Sequence, residues 1–208
     1  MLRDKEIAGM WDVYVVFISN ANQSVALWSQ KAARARGNAV IWDYHVILLL
    51  RPRQQDDGSL ASRPGKLRSW VYDFDTTLPI PCPWEDYLDS TFFRGITPEY
   101  ESQFRVVPGP PFLENFASDR SHMVVHPEGN IQAKDSETAE GVMEEPIYYH
   151  PPPDYPAICG AGALKSGMKN NLMSHFVSMS VKSDEAACNT SWGKVLDRNG
   201  VNTFFENE

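Results

Sequence analysis

Residues 41–50, Ile-Trp-Asp-Tyr-His-Val-Ile-Leu-Leu-Leu, constrain the fold more than any other stretch of this chain. The run is rich in β-branched, aromatic and aliphatic side chains and stops at Arg51-Pro52. That composition predicts a strand. Side chains alternate between faces along a strand. Ile41, Asp43, His45, Ile47 and Leu49 therefore share one face, and Trp42, Tyr44, Val46, Leu48 and Leu50 the other. Both faces are mainly apolar, which predicts a central strand covered on both sides. An acid and an imidazole then lie on an apolar face, and burying such groups without partners is costly.

A partner is within reach. Residues 69–76, Ser-Trp-Val-Tyr-Asp-Phe-Asp-Thr, predict a second strand with Val71, Asp73 and Asp75 on one face. The linker at 51–68 is polar and rich in Gly, Pro and Ser, and Ser59 is the midpoint between His45 and Asp73. An antiparallel hairpin centred there puts Asp73 opposite His45, unless a bulge or slip shifts the register. A carboxylate beside an imidazole can fix its tautomer and stabilise its cation, the orienting half of a nucleophilic triad. A buried His–Asp pair with a purely structural role fits the same residues, and the pattern leaves both open.

The other elements follow by the same rules. Residues 11–19 alternate as a strand and Asn20-Ala21-Asn22 turns. Residues 24–28 fit either a return strand or the start of a helix through Arg36. The proline-rich stretch from Leu78 to Pro83 excludes regular helix or central strand. Residues 84–93 predict a helix with Trp84, Tyr87, Leu88 and Phe92 on one stripe and acids in the first turn. A helical turn at 98–103, a strand at 104–107 and a helix start at Pro111 come next. Residues 115–123 read as an ordered polar loop. Residues 124–150 are expected to be a flexible acidic insertion, and Pro151-Pro152-Pro153 a stiff extended connector. Residues 171–179 fit one short helix or strand, and a segment at 191–196 closes the chain. These elements predict one α/β (α+β) domain over 1–208, a mixed and largely antiparallel sheet flanked by helices.

A net charge of −8 argues against a nucleic-acid partner. No apolar run is long enough to span a bilayer, and no signal peptide is expected. The three cysteines, Cys82, Cys159 and Cys188, are too scattered for a disulfide framework or a zinc site. That usage suits a reducing compartment, cytoplasmic or nuclear.

Several runs together resemble the protein N-terminal glutamine amidohydrolase family. They are Val15-Val16-Phe17-Ile18-Ser19-Asn20, Val40-Ile41-Trp42-Asp43-Tyr44-His45-Val46, Tyr72-Asp73-Phe74-Asp75-Thr76, Leu78-Pro79-Ile80-Pro81-Cys82, Asn115-Phe116-Ala117-Ser118-Asp119-Arg120-Ser121-His122-Met123, residues 151–156, residues 171–179 and Trp192-Gly193. The Trp-Asp-Tyr-His and Asn-Phe-Ala-Ser-Asp-Arg-Ser-His-Met runs are the most specific. The resemblance implies a monomer with a core similar to papain-like and transglutaminase-like proteins. It implies hydrolysis of the side-chain amide of an N-terminal glutamine to glutamate, with release of ammonia, at the head of the N-degron degradation pathway. It implies a Cys–His–Asp thiol mechanism in which His45 matches the histidine and Asp73 the aspartate, with no metal and no cofactor.

The resemblance also implies a nucleophile in a Tyr-Cys-Glu-Glu-Asn-like segment ahead of the first strand. No cysteine precedes Cys82 here, and Cys82 matches a cysteine that is not the family's nucleophile. The chain is therefore expected to be truncated at its amino terminus and inactive as written. Two alternatives stand beside the amidase reading: a non-catalytic product or peptide-binding module, and a different thiol hydrolase that uses Cys82. Recognition of a free α-amine calls for a carboxylate. Asp43 is the candidate, or else a structural acceptor. Ser118, Asp119 and Arg120 are further substrate-binding candidates by resemblance of their loop.

Overall fold

A computed structural model describes residues 9–53, 68–125, 147–149, 151, 154–180 and 192–206. Its centre is a six-stranded sheet, in the order β10-β7-β1-β4-β5-β6. These strands are β1 (Trp11–Ser19), β4 (His45–Pro52), β5 (Trp70–Tyr72), β6 (Cys82–Pro83), β7 (Gln103–Pro108) and β10 (Lys194–Leu196). Every neighbouring pair in it is antiparallel. Pro83 falls on the edge strand β6, where a missing N–H costs no ladder bond, and Pro79 and Pro81 precede that strand. Two small antiparallel pairs stand apart. One joins β2 (Val25–Leu27) to β3 (Val40–Trp42), and the other joins β8 (Ala117–Ser118) to β9 (Ile158–Cys159).

The predicted continuous strand at 41–50 is a correction. The chain leaves β3 at Trp42, bends at Asp43 and Tyr44, and enters β4 at His45. Ser19 Oγ donates to the Asp43 carbonyl at 2.6 Å, and Tyr44 N donates to Asp43 Oδ1 at 2.8 Å. These bonds supply partners that a ladder would otherwise provide. The open choice at 24–36 resolves as a short strand followed by turns, not a helix.

Both sheet faces are covered. Tyr14, Val16 and Ile18 of β1, Ile47 and Leu49 of β4 and Phe104 and Val106 of β7 meet Trp84, Tyr87, Leu88, Phe92, Val201 and Phe205. The last six come from α1 (Trp84–Thr91), its C-cap and α4 (Arg198–Phe205). In α1 the buried Trp84, Tyr87, Leu88 and Thr91 recur at i, i+3, i+4 and i+7, one face of a helix. Glu85 and Asp86 occupy its first turn, where the helix dipole favours acids. Asp197 caps α4, accepting from Gly200 N at 2.7 Å.

On the other face Phe17, Val107, Phe116, Phe176 and Val177 pack together, with Tyr44 and Phe112 beside them. These come partly from α2 (Gly109–Asn115) and a π-helical stretch, Leu172–Val177. The helix α3 (Ala161–Lys165) lies against α2. Residues 115–123, expected to be all loop, contain β8 and a 3₁₀ turn, Ser121–Met123. Val124 bridges Tyr148. The bulk of that expected insertion, residues 126–146, lies outside the described residues, as do residues 1–8, 54–67 of the linker, Pro152, Pro153, and residues 181–191 with Cys188. No helix among the described residues is long and apolar enough to cross a membrane.

Candidate functional site

His45 opens β4 and points to the same face as Ile47 and Leu49. It is 4% exposed, with its ring 5.2 Å from that of Trp42. Asp73 follows β5 directly and is 1% exposed. His45 Nε2 lies 3.0 Å from Asp73 Oδ1. That is ion-pair distance, yet the ring N–H is not aimed along it, so Nε2 makes no well-aligned hydrogen bond. Catalytic contacts are often misaligned without substrate and tighten in the reacting complex.

The two residues meet, but not as direct cross-strand partners. Leu48 pairs with Tyr72, so Asp73 continues toward Ile47, two residues along from His45. The contact is therefore a diagonal one, within reach of long side chains on adjacent strands. The expected hairpin register is corrected by two residues.

Asp73 is surrounded by donors. Its Oδ1 accepts from Asp75 N at 2.9 Å, and its Oδ2 accepts from the Tyr87 hydroxyl at 2.9 Å. Gln30 Nε2 also approaches Oδ2, at 3.5 Å. Burial by itself pushes the Asp73 carboxyl up. The His45 ring, the Asp75 amide and the Tyr87 hydroxyl outweigh it and hold the carboxyl below the ordinary aspartate value. A buried carboxylate is thus kept ionised and oriented toward an imidazole. Such a pair can organise that ring for proton transfer.

Tyr87 and Gln30 are site residues that sequence reasoning missed. Tyr87 was legible as a core position of α1. The further signal was its hydroxyl, since a buried tyrosine needs a hydrogen-bond partner. Gln30 lines a cavity of about 650 Å³ together with Trp28, Lys31, Leu78 and Phe93. A second cavity, of about 470 Å³, lies among Asn20, Phe92, Phe104 and Arg198. Neither is lined by His45 or Asp73.

The substrate-binding candidates separate into two groups. Asp43 does not share the His45 strand face; it sits exposed in the bend, two residues before His45. Its carboxylate pairs with no cation among the described residues. Ser118, half-buried on β8, pairs with Ile158. Asp119 Oδ1 accepts from Ser121 N and Asn170 Nδ2, both at 2.9 Å. Burial raises the Asp119 carboxyl, and those bonds with the Ser121 hydroxyl pull it below the ordinary value. Arg120, at φ +67°, lies over the Tyr155 ring at 5.3 Å and donates to the Tyr155 carbonyl. Asp119 and Arg120 thus hold their own loop. Tyr44 lies between the groups: burial, then the Asp43 charge and Tyr155, push its phenol up.

His45, Asp73 and Asp75 bring one nitrogen and two carboxylate oxygens within 4.8 Å of one another, a set able to supply three metal ligands. Asp75 is exposed, and Asp73 is already bonded on both oxygens. Cys82, 3% exposed on β6, is packed in the α1 core. Burial, then the Asp86 charge, push its thiol up, the reverse of what activates a nucleophile. Cys159 is exposed on the separate β8–β9 pair.

Comparison with known proteins gives one consistent match. A family described as N-terminal glutamine amidase matches residues 2–205. The protein N-terminal glutamine amidohydrolase of Bos taurus is 37% identical over 170 residues, 81% of this chain and 64% of that protein. The protein of that name from Arabidopsis thaliana is 38% identical over 157 residues, 74% and 66% of the two chains. That from Homo sapiens is 35% identical over 186 residues, 88% and 69%. The chain spans about two thirds of the length of these relatives.

Proposed function

This chain belongs to the N-terminal glutamine amidase family, and we propose that His45 and Asp73 are the acid–base half of a thiol amidohydrolase acting on N-terminal glutamine. The observation that carries the reading is the buried His45 Nε2–Asp73 Oδ1 contact at 3.0 Å, on the two residues that the resemblance likens to the family's histidine and aspartate. Because Nε2 faces Asp73, Nδ1 is the nitrogen that serves a thiol. A thiolate adds to the side-chain amide carbon of glutamine. His45 takes the thiol proton and returns it to the departing nitrogen, so ammonia leaves and a thioester remains. Water then cleaves the thioester, yielding glutamate and the free thiol. Asp73 holds the imidazole in place through both steps.

This route needs neither metal nor organic cofactor. Asp43 is assigned to the substrate's α-ammonium, since it is the exposed, unpaired carboxylate nearest His45 in the chain. Ser118, Asp119 and Arg120 form the further rim of the peptide site. By the resemblance the nucleophile is a cysteine ahead of β1, where this sequence has none; Cys82 is buried with a raised thiol and Cys159 stands on another sheet. The wider role follows the resemblance: a monomer of the cytoplasm and nucleus, with a papain-like core, feeding the N-degron pathway. Its net charge of −8 suits protein rather than nucleic-acid substrates.

The same placement of Cys82 and Cys159 favours a second reading, a module that binds Gln-initiated peptides without turning them over. Ammonia release separates the two. In a preparation that carries a cysteine ahead of β1, a Gln-initiated peptide should release one ammonia per peptide, and a peptide with glutamine only at an internal position should release none. Binding of the first peptide without release supports the module. Release that persists in Cys159→Ala but disappears in Cys82→Ala would reject the assignment of the nucleophile.

A further inference from the structure

We propose that Tyr87 is a positioning residue for Asp73: its hydroxyl occupies the carboxylate oxygen that faces away from His45 and so fixes which oxygen the imidazole meets. The inference rests on the reading of His45 and Asp73 as the acting pair. The terminal torsion of aspartate is broad and close to two-fold, so the side chain does not by itself choose an oxygen. Oδ1 receives the Asp75 amide and faces His45. Oδ2 is claimed by the Tyr87 hydroxyl at 2.9 Å, with Gln30 Nε2 as a longer second donor at 3.5 Å. Rotation of the carboxylate would break the bonds on both oxygens.

Tyr87 is built for this task. Its side chain is wholly buried, with Trp84 at 6.5 Å and Phe92 at 5.9 Å between ring centroids. Burial and the Asp73 charge push its phenol well above the ordinary value, so it remains a donor at every working pH. The helix that carries it begins directly after β6, and β6 pairs with β5, the strand that leads into Asp73. Donor and acceptor are therefore held in register by the same short hairpin. A tyrosine that only filled the core would place its ring here but give Asp73 nothing.

Tyr87→Phe keeps the ring and removes the donor. In the 208-residue chain, the Asp73 carboxyl carbon can be followed by NMR as pH is lowered. Loss of the donor should move the Asp73 titration to higher pH while the other carboxyls and the far-UV spectrum stay unchanged. An unmoved Asp73 titration in a folded Tyr87→Phe chain would overturn the proposal. Should that variant fail to fold, uniform 3-fluorotyrosine labelling makes each hydroxyl a stronger donor with little change of shape. Asp73 should then titrate at lower pH, and no change would again overturn the proposal. In a preparation that turns over a Gln-initiated peptide, Tyr87→Phe should lower kcat roughly tenfold or more, the worth of a hydrogen bond to a charged group, with KM within about twofold. A raised KM with unchanged kcat would also overturn it. Absence of turnover in every preparation counts against the amidase reading alone, because the carboxyl titration decides the part of Tyr87 without it.

Discussion

His45 Nε2 lies 3.0 Å from Asp73 Oδ1, with both side chains almost wholly shielded from water. A contact of this kind is stronger than the same contact on the surface, and removing one member leaves the other buried without compensation. The pair therefore affects both chemistry and stability, and the two effects have to be measured apart.

Asp73→Asn preserves shape and removes charge. If the pair acts in proton transfer, this variant and His45→Ala should each lower kcat by roughly 10²–10⁴-fold in a preparation that releases ammonia. KM for a Gln-initiated peptide should change little. Steady-state kinetics decide it, with circular dichroism to establish that each variant is folded.

Acid should weaken the fold through Asp73. Its carboxyl lies below the ordinary aspartate value in the folded chain. A depressed carboxyl contributes stability that is complete above the unfolded value, near 3.9, and is lost as pH falls through the folded value. Thermal unfolding below about pH 4 should therefore show a falling Tm that flattens in Asp73→Asn. Parallel curves for the two proteins would contradict the assignment.

Asp43 is a separable case, because its carboxylate is exposed and supports only its own bend through Tyr44 N. Asp43→Asn keeps an oxygen for that bond. Loss of a charge-assisted contact with an α-ammonium should cost roughly 1.5–3 kcal/mol. The drop should appear in kcat/KM for peptides with a free amino terminus while the His45–Asp73 contact is unaffected. Unchanged kinetics would remove Asp43 from the site.

The dyad was legible from residue types and alternation, and the reason is physical: an imidazole and an acid on apolar strand faces have few ways to be satisfied. Its register was not, because the centre of a hairpin with a long connection is set by pairing along β4 and β5, not by the length of the linker. The break at Asp43 was hidden for a related reason. A backbone can leave one sheet for another without any change in hydrophobic pattern, and only the bonds from Ser19 and Tyr44 record it. The helix α4 was missed because Gly200, Asn202 and Thr203 are weak helix formers. It is held instead by tertiary contact, with Phe204 and Phe205 both 5.5 Å from the Tyr14 ring.

Gly193, beside Trp192 in one of the matched runs, tests the packing of the sheet edge. It has φ +79°, and a β-carbon there would stand 2.2 Å from the Val106 carbonyl oxygen. Gly193→Ala should destabilise by more than the roughly 1–2 kcal/mol expected of left-handed backbone alone, because the obstructing atom is main chain. Urea unfolding measures the loss, and a neutral result would show that β10 can shift away from β7.

The placement of Phe205 has a consequence for synthesis of the chain. Phe205 packs at 5.3 Å from Trp84, and its carbonyl accepts from Ser69 Oγ at 2.9 Å. His45, Asp73 and Tyr87 leave the ribosome more than a hundred residues before this helix does. Until α4 emerges, the apolar flank of α1 beside the dyad has no cover, a state prone to association with other chains. Ribosome-bound chains halted before residue 197 should therefore engage holding chaperones through the Trp84 region, and release should coincide with the appearance of α4.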